Sequence, residues 1–87
     1  MKRMMSRREI EITERIDELT DVLNFSQEYL EETESVLLGY EEDYKESKDE
    51  SLLPYIQLFR LEVEHFSAEV LSLQTEIEEL EEEAKTA

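Results

Sequence analysis

The sequence predicts an all-α protein built as an antiparallel two-helix coiled-coil hairpin. Three observations carry this. One glycine and one proline in 87 residues are too few turn residues for a sheet-containing domain of this size. Apolar residues recur at alternating spacings of three and four along two long segments, the signature of a heptad seam. A single polar stretch, Lys45-Glu46-Ser47-Lys48-Asp49-Glu50-Ser51, separates the two seams and reads as the turn.

Residues 1–5 are expected to be a mobile basic tail and residues 6–87 a single helical hairpin. The first helix is expected over about residues 7–46, because Ser6 and Glu9 have capping-box spacing and Met5 and Ile10 that of a hydrophobic staple. Its seam runs through Ile12, Ile16, Leu19, Leu23, Ser26, Leu30, Thr33, Leu37, Tyr40 and Tyr44. Gly39 has the composition of a helix terminator, but the seam keeps its phase through Tyr40 and Tyr44, so it is expected inside the helix. The second helix is expected over about residues 52–84, with Ser51 as its N-cap and Pro54 in its first turn. Ile56, Phe59, Val63, Phe66, Val70, Leu73, Ile77, Leu80 and Ala84 make its seam. Laid antiparallel, the two seams match layer for layer, from Tyr44 against Leu52 to Ile12 against Ala84.

With 25 acids against nine bases, the formal net charge of −16 excludes nucleic acid and anionic membranes as natural partners and favours cations or basic proteins. The four bases within residues 1–8 are placed to clasp the acidic C-terminal end. The absence of cysteine excludes disulfides and thiolate metal sites, so a bound metal would need carboxylate and imidazole ligands. No run approaches a membrane span and no secretory leader is evident, so a cytoplasmic protein is expected. A single hairpin this small buries little, so self-association into a dimer or larger homo-oligomer is expected to supply more core.

With Ile16 and Ile56 at heptad position a, positions c and g of both helices share one side of the hairpin. Helix 1 places Val22, Phe25, Tyr29, Glu32 and Val36 there, and helix 2 places Tyr55, Leu58, Glu62, His65, Glu69 and Ser72. The back of helix 1 carries Glu11, Glu14, Glu18, Asp21, Glu28, Glu42 and Glu46, as a solvated face does. Two helices cannot cover the apolar part of the shared side, and a second hairpin completing a four-helix bundle is the simplest cover.

Glu32, Glu62 and the only histidine, His65, fall at one level of that side. Four-helix di-iron proteins take a glutamate from each of two helices and Glu-x-x-His from each of the other two, so one hairpin holds half such a set and a dimer the whole. Carboxylate with imidazole suits iron. At Leu30–Val36 (LEETESV) and Glu62–His65 (EVEH) the chain resembles the encapsulated ferritins, half-ferritin hairpins that dimerise around a ferroxidase site. The resemblance implies a di-iron centre with Glu32, Glu62 and His65 as metal-binding and catalytic residues, and Glu31 and Glu34 guiding ions inward. It implies oxidation of Fe(II) to Fe(III) by dioxygen, and an encapsulin shell as partner, hence location inside a protein nanocompartment. Tyr40 stands where that family has a Trp-Tyr pair.

Other readings stand beside it. Glutamate is frequent enough that Glu62 and His65 could be a simple surface pair one helical turn apart. Tyr29 and Tyr55 are expected as packing residues. The alternative function is that of an acidic, non-enzymatic interaction protein. Its acidic ridge would imitate a nucleic-acid backbone in a basic cleft, or its apolar side would receive another chain as in a coiled-coil adaptor or chaperone.

Overall fold

The computed structural model describes residues 4–86. Helix α1 spans Arg7–Ser47, a 3-10 turn takes Glu50–Leu52, and helix α2 spans Leu53–Thr86. The two helices run antiparallel in a rod of 68 × 18 × 13 Å. Every predicted seam residue is buried or half-buried.

Burial is deepest in a strict seven-residue rhythm. In α1 the buried residues are Ile12, Leu19, Ser26 and Thr33, all at position d, and in α2 they are Ile56 and Ile77, both at position a. The intervening seam residues are only half-buried, as two helices alone leave the edges of their seam wet. Thr33 enters the core without an orphaned hydroxyl because its Oγ1 donates to the Tyr29 carbonyl at 2.8 Å. Aromatic rings fill the space around these small residues and toward the turn. Tyr29 meets Phe66 at 4.6 Å between centroids, and Tyr40 stacks on Phe59 and Tyr55 at 5.5 and 5.8 Å.

Ser6 caps α1 as expected: its side-chain oxygen accepts from the Glu9 amide at 3.1 Å. The helix passes through Gly39 and ends at Lys48, whose φ of 57° lies in the left-handed region and whose amide donates to the Tyr44 carbonyl at 2.8 Å. The basic N-terminus contributes in part to the ionic clasp. Arg8 pairs with Glu83 across the hairpin, whereas Arg7 pairs with Glu11 on its own helix at 3.4 Å. Lys2 and Arg3 lie outside the described residues. Arg15–Glu76 at 3.7 Å and Arg60–Glu41 at 3.3 Å bridge the two edges of the seam. These pairs are exposed and set register more than stability.

The turn corrects one expectation. Ser51, expected to cap the second helix, lies instead inside the 3-10 turn that precedes it, and Asp49 caps that turn: its carboxylate accepts from the Ser51 amide at 3.0 Å and from the Ser51 hydroxyl at 2.7 Å. This seats a 3-10 turn ahead of α2 and puts Pro54 at the second position of that helix, where a missing amide proton costs nothing. The Ser51 hydroxyl, followed by its amide, holds the Asp49 carboxyl below the usual carboxylate range. A carboxyl depressed on folding stabilises the fold above its unfolded-state pKa and stops doing so as pH falls through the folded-state value. Thermal melts of wild type and Asp49→Ala should therefore differ at neutral pH, and that difference should vanish in strong acid. A difference that persists there would locate the effect elsewhere than in the charge.

Candidate functional site

The side formed by positions c and g is exposed in the hairpin. Phe25 is 69% accessible, and Val22, Val36, Tyr55 and Leu58 each expose about half of their surface, with Tyr29 somewhat less. Helix periodicity places these residues together: Val22, Tyr29 and Val36 follow one another at seven-residue steps, and Phe25 lies one turn from Val22. The strip runs from the middle of the rod to its turn end.

His65 and Glu32 are exposed on this strip, and Glu62 is half-buried. The nearest carboxylate to His65 is not that of Glu62. Its Nε2 lies 3.7 Å from Glu69 Oε2, one turn further along α2, and the ring meets Phe66 edge-on at 5.2 Å. Among the described residues no three carboxylate or imidazole groups stand close enough to hold a metal ion. Within one hairpin Glu32, Glu62 and His65 thus share a surface without forming a closed ligand set.

Glu31 and Glu34 are exposed on α1. Glu34 lies one heptad before Glu41, which pairs with Arg60, so it belongs to the edge of the seam away from the strip. Tyr29 and Tyr55 act as packing residues, against Phe66 and Tyr40 respectively.

A second exposed surface lies along the outward ridge of α2, where Leu61 and Leu71 are 63% and 64% accessible. These leucines fall outside both the seam and the c/g strip. Leu61 belongs to a further alternation of three and four through Leu58, Leu61, His65, Ala68, Ser72 and Thr75, which shares Leu58, His65 and Ser72 with the c/g strip; Leu71 falls outside it.

Among the described residues no helix is long and apolar enough to cross a membrane. Comparison with protein-family models, curated proteins and solved structures finds no significant match to the chain.

Proposed function

We propose that this protein is a non-catalytic assembly hairpin that associates with a second hairpin through its exposed apolar side to complete a four-helix bundle. The exposure of Phe25 amid Val22, Tyr29, Val36 and Leu58 carries the reading. Exposed apolar residues recurring along one side, between Glu32, Glu62 and His65, on a hairpin with so little core mark an interaction surface. Phe25→Ser should weaken self-association at least about tenfold, since truncating a central aromatic anchor removes on the order of 2 kcal/mol from an interface. Sedimentation equilibrium measures the association, and far-ultraviolet circular dichroism checks that the helices persist. Unchanged association in Phe25→Ser would remove the strip from the interface.

A second reading is favoured by the position of Glu32, Glu62 and His65 on this same strip. Two hairpins would together offer four carboxylates and two imidazoles, a donor set chemically suited to Fe(II) as substrate. Glu32 and Glu62 would hold the ion, and His65 would add a neutral imidazole once freed from Glu69. Metal-free protein given Fe(II) without oxygen should then bind about one iron per chain and dimerise more tightly, and His65→Ala should lose both effects. Elemental analysis showing no uptake, with sedimentation unchanged, would leave the assembly reading alone.

A further inference from the structure

We infer that the three glutamates set among the apolar residues of the c/g side, Glu32, Glu62 and Glu69, are an electrostatic gate on self-association: two hairpins join there when salt screens these charges and separate when it does not. This rests on the self-association reading and adds the regulation of that same surface.

The gate follows from how charge changes along one edge of the hairpin. At the free end this edge consists of ion pairs across the two helices, Arg8 with Glu83 and Arg15 with Glu76. Toward the turn, at seven-residue steps, α1 places Val22, Tyr29 and Val36 on that edge while α2 places Glu69, Glu62 and Tyr55. Glu69 therefore stands at the level of Val22, and Glu62 at the level of Tyr29. Helix α2 keeps the acids of a paired edge after α1 has exchanged its arginines for apolar side chains. Both carboxylates belong to half-buried residues, and Glu32 is exposed between Tyr29 and Val36 on the same side. Among the described residues Glu32 and Glu62 make no ion pair. No lysine or arginine lies on this stretch of the c/g side, and its one imidazole, His65, already stands 3.7 Å from Glu69.

A second copy brings the same three carboxylates and no base to neutralise them. Joining the two gathers like charges and withdraws them from water, which opposes the burial of Phe25, Val22, Val36 and Leu58. The screening length is about 10 Å in about 0.1 M salt and about 3 Å in about 1 M. Burial of apolar surface survives that change and mutual repulsion does not, so rising ionic strength favours the dimer. An interface held by ion pairs would respond with the opposite sign. Asp17, Glu34 and Glu64 lie at positions b and e, on the opposite side of the hairpin and exposed, so they face away from a copy joined at the c/g side and contribute less.

Sedimentation equilibrium of the metal-free full chain at a single pH, in about 0.1 M and about 1 M sodium chloride, tests the gate. The dissociation constant should fall at least about tenfold from the lower salt to the higher. Glu32→Gln/Glu62→Gln/Glu69→Gln should associate in the lower salt as tightly as the parent does in the higher, and lose most of the salt response. Asp17→Asn/Glu34→Gln/Glu64→Gln removes the same amount of charge from the opposite side and should keep that response, with circular dichroism confirming helicity in both variants. Equal behaviour of the two triple variants would make total charge the cause, and a salt response that persists in the c/g variant would trace it to the apolar side chains. Either result, or a dimer that weakens with salt, would overturn the gate and leave self-association standing. Parent and c/g variant that both stay monomeric at both salt concentrations would overturn self-association itself.

Discussion

Ile56→Ala is expected to be the most damaging of the conservative truncations, costing about 3 kcal/mol, because deleting a buried isoleucine loses its transfer free energy and leaves a cavity. Ile56 is 3% exposed and lies in the first turns of α2, beside the aromatic stack of Tyr40, Tyr55 and Phe59. Few side chains are buried as deeply: among the described residues only Ile12, Leu19, Ile56 and Ile77 form the buried apolar core. A hairpin of this size has only a few kcal/mol of net stability, so the same deletion that shifts the melting of a large domain should leave this one substantially unfolded. Urea titration at a concentration where the chain is monomeric measures the loss. Leu38→Ala is the control, since Leu38 is mostly exposed on the outer face of α1 and should change stability by less than about 0.5 kcal/mol. Equal losses from the two substitutions would mean that the seam is not the core.

The opposite sign is expected from moving the only glycine. Gly39 sits inside α1, where it costs roughly 1 kcal/mol relative to alanine, and a Cβ there would meet no atom within 4 Å. Nine positions later Lys48 occupies a left-handed conformation that glycine adopts without a Cβ penalty. Its ammonium lies 5.8 Å above the Tyr44 ring, a contact that offsets part of the strain. Gly39→Ala/Lys48→Gly should therefore stabilise the hairpin by about 1–2 kcal/mol, with most of the gain in Gly39→Ala alone. The two sites are far enough apart for their effects to add. Thermal unfolding of both single variants and the double variant decides it; a loss at Gly39→Ala would show that something packs closely on that position in the assembled protein.

The seam was legible because a heptad repeat is a local pattern: each residue's face follows from counting along one chain, and antiparallel pairing follows from the single polar break. That is why Gly39 could be placed inside α1 despite its composition, and why the exposure of Phe25 was foreseeable. The turn was less legible. Asp49 and Ser51 both have capping chemistry, and the choice between them depends on backbone dihedrals that no spacing reveals. For His65 the sequence reading named the wrong surface partner: it paired the imidazole with Glu62 one turn before, whereas side-chain geometry, which spacing does not reveal, places it beside Glu69 one turn after.

By itself, then, the sequence determined two helices, their antiparallel order, the residues between them and the acidic character of the back of α1. Periodicity and charge are properties of the chain alone. Tertiary structure decided which half of each seam is deepest, with the small Ser26 and Thr33 buried at position d of α1 and Ile56 and Ile77 at position a of α2. It also decided that Leu58, Leu61 and Leu71 stand exposed along α2. Those features depend on how each helix is rotated against the other and on which rotamers fill the space between them, and packing settles both only when the helices meet.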